Sequence, residues 1–307
     1  MGLVKDIIAF FRQNKEDALV PVNHRRDVAR VNEVISLLEK MPEGRAAADF
    51  LRDNKVPVVL DKERSIATFF CRMGVEDGAW KKYGSYIALN PLCDSAMLAA
   101  SIIHETQHAR QAVAGVLRPK HISSPLDLAR YIRFTEATAQ TEAVYATFAL
   151  KLTGDPSLYD AFKNVHGYTA MFDAAEKYYA QDPSSLGDGR LKRRIFDAWF
   201  VRPAPLVYDM EVVEQTYPHM IDLALRHKGA PLPVGKLQVA DLEALGGLVD
   251  GQVNYLTLPG FRPLDNNRYW GGFAASVYRR ALEYGKAFNN DLSCLTAKTA
   301  LQKKLGI

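Results

Sequence analysis

"SIIHETQHARQ", residues 101–111, decides how the rest of this chain is read. His104 and His108 stand four residues apart, and Glu105 follows the first directly. On a helix, residues four apart share a face one turn apart, so both imidazoles can point at one ion. Glu105 falls about 100° round the helix and flanks that point. A carboxylate beside a metal-activated water can take its proton and later deliver it to a leaving amine. The H-E-x-x-H spacing therefore writes a mechanism on a single helix. The competing reading is a plain amphipathic helix with two histidines on its polar face.

The flanking sequence favours the metal. In "DSAMLAASIIHETQHARQAVAG", residues 94–115, Asp94 and Ser95 are cap candidates and Gly115 is a stop. The apolar run "AMLAASII" makes the helix buried and rigid, and "SYIALN" just before it reads as a strand. Further upstream, residues 25–41 place Val28, Val31, Val34, Ile35, Leu37 and Leu38 near helical spacing, and a second helix ends at Asn54. The β-branched or aromatic stretches 56–61, 65–73 and 84–91 predict a three-stranded meander, closed by Pro91. Downstream, residues 124–154 read as one long helix, capped by Ser124, opened by Pro125 and stopped by Gly154. Further helices are expected over 157–181, 190–200, 206–228 and from 273. The fold class is α+β and mostly α-helical, with a small antiparallel sheet packed on the histidine helix. A division at 182–188 gives a first domain over 1–182 and a helical C-terminal region over 183–307, packed on the first.

A catalytic zinc takes three protein ligands and keeps one position open. A third histidine six residues after His108 is excluded, because Gln111 and Ala114 occupy the glycine and histidine places of that longer pattern. His121, Glu136 and Glu142 remain. Glu136, in "TEATAQTEA", is preferred: Ala139 at i+3 allows close helix approach, and Gln140 at i+4 could bond a ligand histidine. Glu142 has Tyr145 and Ala146 at those places and lies about 240° round the helix from Glu136. His121 sits in a loop.

A strand "SYIALNP", a helix with "HETQH" and a following helix with "EATAQ" resemble the gluzincin branch of the zincin metallopeptidases, the group that includes thermolysin. The resemblance covers residues 84–152. It implies a zincin-like core and a zinc ion held by His104, His108 and Glu136. It implies Glu105 as catalytic base, and an extended peptide or protein substrate lying along Tyr86 to Asn90, the strand taken as the sheet edge. Gln140 departs from the acid or asparagine usual there. The chain is also similar to an uncharacterised bacterial family described only as candidate metallopeptidases. The expected activity is zinc-dependent peptide hydrolysis; the rival is a zinc-containing regulatory or interaction protein without hydrolysis.

Composition narrows the rest. Of 307 residues, 48% are hydrophobic and 24% charged, an ordinary globular balance, and a net charge of +4 is too small and dispersed to argue for nucleic acid. Neither a membrane span nor a signal peptide is read, which points to the cytoplasm or to signal-less secretion. Cys71, Cys93 and Cys294 read as reduced, mostly buried thiols. Tyr145, His166, Tyr168, Tyr217 and His219 are the candidates for an oxyanion donor. "RLKRR", residues 190–194, reads as a solvated basic face, and "NNRYWGG", residues 266–272, as a binding loop or a loop packed on the core.

Overall fold

The structure, a computed structural model, describes residues 25–64, 66–76, 79–117, 125–163, 168–201, 208–209, 212, 236–249 and 251–271. Helix α1 (Arg25–Leu38) buries Val34 and Leu38 completely, the inward stripe that its apolar spacing demands. Helix α2 (Pro42–Asp53) begins with proline, whose missing N–H is no loss in a first turn, and ends at Asn54 as read from sequence. Gly44 meets a steric requirement: a Cβ there would lie 1.9 Å from the Leu38 carbonyl oxygen. Only glycine lets α2 start that close to the end of α1.

Strands β1 (Val58–Leu60), β2 (Ala67–Glu76) and β3 (Ala79–Leu89) form a sheet in the order β1-β3-β2. β2 and β3 pair antiparallel, while β1 runs parallel to β3, from Val58 opposite Ile87 to Leu60 opposite Leu89. Two expectations are corrected here. The sheet is mixed, and β3 is its middle strand where an edge was expected. The physical reason is burial: Ile87, Ala88 and Leu89 are wholly buried, so their backbone groups need partners on both sides. Adjacency in sequence predicts a meander, but β1 takes the far side of β3 and β2 becomes an outer strand.

The sheet packs on α3 (Ser95–Val113), the histidine helix. Asp94 caps it, accepting from the backbone N–H groups of Ala96 and Met97 at 2.8 and 3.2 Å. From Leu98 to Gln111 every residue of α3 is buried, so it is the central helix, wrapped by α1, α2, the sheet and α4 (Pro125–Leu152). Burial all round means that water cannot serve its polar residues, so protein partners must. The single helix expected over 157–181 is interrupted, as α5 (Ser157–Lys163) and α6 (Thr169–Gln181). Helix α7 (Arg190–Trp199) packs on α4 and α6. The short α8 (Val239–Glu243) and α9 (Asn267–Trp270) follow. The helices expected over 206–228 and from 273 lie outside the described residues, apart from 208, 209 and 212.

Only half of the basic cluster is a solvated face, since Arg194 is exposed and Arg190 half-buried. Lys192 and Arg193 are buried, and Lys192 Nζ donates to Glu142 Oε2 at 2.6 Å. Arg193 donates to the Leu256 carbonyl and to the Tyr269 hydroxyl, each at 3.1 Å. Charges enter the core only when paired, and these partners lie on elements remote in sequence. The aromatic loop also turns inward: Tyr269 is fully buried, with its ring 5.0 Å from Phe200 and 5.8 Å from Phe134, and its hydroxyl donates to Asp197. Among the described residues no helix is long and apolar enough to cross a membrane.

Candidate metal centre

Helix spacing and one neighbouring helix assemble the site. The Nε2 atoms of His104 and His108 are 3.0 Å apart. Glu136, on the facing helix α4, brings its carboxylate to 3.5 Å from His104 Nε2 and 3.3 Å from His108 Nε2. Ala139 and Ala143, both wholly buried, keep the side of α4 thin enough for two helices to approach. Two ligands at zinc's usual bond length and a tetrahedral angle stand about 3.3 Å apart, so these three separations suit that ion. His104, Glu105 and His108 also form a looser group, with ligand atoms all within 4.8 Å. In that looser group Glu105 is already engaged by a strand.

That engagement is a hydrogen bond from the Phe69 backbone N–H to Glu105 Oε2, at 2.7 Å. Phe69 lies on β2, the outer strand next to the site. Residues 66, 68 and 70 turn their backbone groups towards β3, as the bond from the Asn90 N–H to the Ile66 carbonyl shows. Phe69 therefore presents its N–H outward, and Glu105 is held between the sheet edge and the histidines. Sequence spacing carries no signal for this contact.

Gln111 was read only as the residue that removes a third histidine. It has a place of its own. His108 Nδ1 lies 2.9 Å from Gln111 Oε1. The amide's orientation follows from its other end: Nε2 donates to the Thr135 carbonyl, which can only accept, and to Thr138 Oγ1, both at 3.1 Å. Gln111 thus accepts from His108 Nδ1–H, which turns Nε2 to the common point, and ties α3 to the turn of α4 that carries Glu136. The signal was available as a polar residue at i+3 on the same helical face.

Gln140, expected to bond a histidine, does not. Trp199 Nε1 donates to its Oε1 at 2.8 Å, and its Nε2 donates to the Tyr208 hydroxyl at 3.2 Å. The amide is spent on joining α4 to α7. Glu142, the alternative to Glu136, is held by Lys192, as the 240° rotation between the two glutamates requires. Among the oxyanion candidates, Tyr145 donates to the Leu186 carbonyl at 2.5 Å, and Tyr168 packs its ring 4.4 Å from Phe162. His166, Tyr217 and His219 lie outside the described residues, as do His121, Ser124 and Cys294. Cys93 is half-buried.

The electrostatics couple the three groups. Burial opposes charge on the His108 ring, but the Glu136 carboxylate outweighs it and pushes His108 up to about 9. Burial likewise raises Glu136, and His108 and His104 outweigh that, holding its carboxyl well below the usual carboxylate range. Without an ion, a proton on His108 plays the cation that the carboxylate needs. A groove of about 550 Å³ between α1, α2 and β1, lined by Val31, Ile35, Leu51, Val56 and Val58, lies apart from these residues.

Against this geometry stands one comparison. The family model described as "Putative metallopeptidase family (DUF6782)" matches residues 12–252. The chain belongs to this family. The match spans both helices of the histidine site, the sheet, and α1, α2, α5, α6 and α7. It runs well beyond residues 84–152, which carried the resemblance in the sequence. A family of metallopeptidases implies a bound metal, and His104, Glu105 and His108 form a group able to hold one. No curated protein and no solved structure matches the chain.

Proposed function

We propose that the protein is a zinc-dependent peptidase of gluzincin type, with zinc held by His104, His108 and Glu136 and with Glu105 as general base. The observation that carries this reading is the convergence of two Nε2 atoms and one carboxylate at 3.0, 3.3 and 3.5 Å, with a second carboxylate beside them. Two neutral imidazoles and a carboxylate are a hydrolytic zinc donor set. The chemistry zinc supplies there is Lewis acidity, which polarises a scissile carbonyl and acidifies water.

Glu105 has the proton work. Its Oε2 is anchored by the Phe69 N–H, so Oε1 takes the proton from the attacking water and returns it to the leaving amine. Anchoring one oxygen fixes where the other stands, which removes a rotational search from the reactive step. An extended peptide is placed along the outward edge of β2, whose alternate backbone groups point away from β3 and whose Phe69 N–H meets Glu105. This replaces the placement along Tyr86 to Asn90, which the pairing of β3 on both sides excludes for residues 87–89.

The test is metal quantification on untagged protein, followed by Glu105→Gln. The expected result is one zinc per chain, and cleavage of a peptide library that Glu105→Gln abolishes with zinc retained. Full proteolysis by Glu105→Gln would refute the mechanism. Stoichiometric zinc with no cleavage by the wild type would support the non-hydrolytic alternative.

A further inference from the structure

The metal helix carries one short pattern twice. "HETQHARQ" is H-x-x-Q followed at once by H-x-x-Q: His104 with Gln107, and His108 with Gln111. Residues three apart neighbour each other on a helix surface. The second pair is made, with Gln111 Oε1 at 2.9 Å from His108 Nδ1. In the first pair the same two atoms, His104 Nδ1 and Gln107 Oε1, are buried and have no hydrogen-bond partner. Gln107 is 1% exposed and His104 8%, so solvent offers neither atom a replacement. The two orphans are complementary, since Nδ1–H donates and an amide oxygen only accepts. Buried polar atoms left without partners are unfavourable, and here each is what the other lacks, at a spacing that works four residues further on.

We infer that Gln107 is a positioning residue for the metal site: in the zinc-loaded protein its Oε1 accepts Nδ1–H of His104, as Gln111 does for His108. The bond holds the His104 ring in the tautomer that turns the Nε2 lone pair to the ion. The choice of amides also has an electrostatic consequence. Glu136 and Glu105 already bring two negative charges to a divalent ion. Carboxylates behind both histidines would add two more within a buried helix pair, whereas two glutamines orient the rings and leave the site balanced. This inference rests on the zinc site proposed above.

Zinc affinity, read by competition with a chromogenic chelator, is the test on the full chain. Gln107→Leu keeps the volume and removes the acceptor. It is expected to bind zinc about tenfold to a hundredfold more weakly. The metal-free Tm should not fall, because the substitution removes an unpartnered buried group. Gln107→Glu, which restores an acceptor in place, should recover most of the affinity. Long-range ¹H–¹⁵N spectra of zinc-loaded wild type should show a slowly exchanging His104 Nδ1–H that Gln107→Leu loses. Unchanged affinity in Gln107→Leu overturns the inference alone. A loss that Gln107→Glu does not reverse marks a packing role and overturns it as well. A wild type that binds no zinc overturns both the site and this inference.

Discussion

Glu136 and Glu142 lie on one helix, and opposite outcomes are expected from removing them. Glu142 is 4% exposed and Lys192 5%, and their charged atoms are 2.6 Å apart. Lys192 also donates to Gln252 and lies 4.6 Å over the Tyr145 ring, so its surroundings are set for a cation with one anion. Glu142→Leu leaves that ammonium buried with Glu43 as the carboxyl in electrostatic reach, a group that burial holds towards its neutral form. Stranding one charge of a buried pair costs about 3–5 kcal/mol, against a total stability of about 5–15 kcal/mol for a typical domain. For a chain of this size the loss lowers Tm by roughly 5–8 °C. Glu142→Leu with Lys192→Met removes both charges and should return to within about 1 kcal/mol of wild type, since a well-packed apolar pair replaces a buried ion pair without net loss. The assay is urea unfolding of the three variants, with zinc measured on each after dialysis. Glu142→Leu should keep zinc in its folded fraction, and Glu136→Gln should lose it. The reasoning is refuted if Glu142→Leu costs under about 1 kcal/mol, or if it loses zinc while Glu136→Gln retains it.

Two further outcomes follow from the packing and titration of α2. Gly44→Ala sets a Cβ against backbone, the Leu38 carbonyl oxygen at 1.9 Å, where no side chain can yield; a loss of about 2 kcal/mol or more is expected in thermal unfolding, and an unchanged Tm would contradict the close approach. Burial is the main influence raising the Glu43 carboxyl above its ordinary 4.5, so its neutral form belongs to the fold. The stability it contributes is complete below pH 4.5 and is lost as pH rises through the raised folded value. Glu43→Gln stays neutral throughout, so it should melt above wild type at pH 8 and level with it near pH 4.5; equal melting at both would refute the burial argument.

Much of the site could be read along one dimension because α-helical geometry is local. Two histidines at i and i+4 share a face in any helix, so His104 and His108 converge wherever the chain puts them. Caps are equally local, which is why Asp94, Pro125 and Asn54 mark their elements' ends in both readings. The preference for Glu136 over Glu142 also came from rotation about one axis. The same arithmetic placed Gln140 on the face of Glu136, and there it failed, because sharing a face does not choose between a histidine across one helix and Trp199 across another.

What remained illegible depends on which surfaces meet. Strand order was one such matter: hydrophobic pattern marks a buried strand but not its neighbours, and burial of Ile87 to Leu89 on both sides made β3 central and left β2 to hold Glu105. The fate of "RLKRR" was another, since a lysine reads as surface until a glutamate 50 residues away meets it in the core. By itself the sequence determined a helix with two imidazoles on one face, a glutamate beside them and further carboxylates on the next helix. The tertiary structure alone decided which strand anchors Glu105, which helix Gln111 joins to the histidines and which glutamate meets Lys192, because those are contacts between elements, and no periodicity within one element encodes its partner.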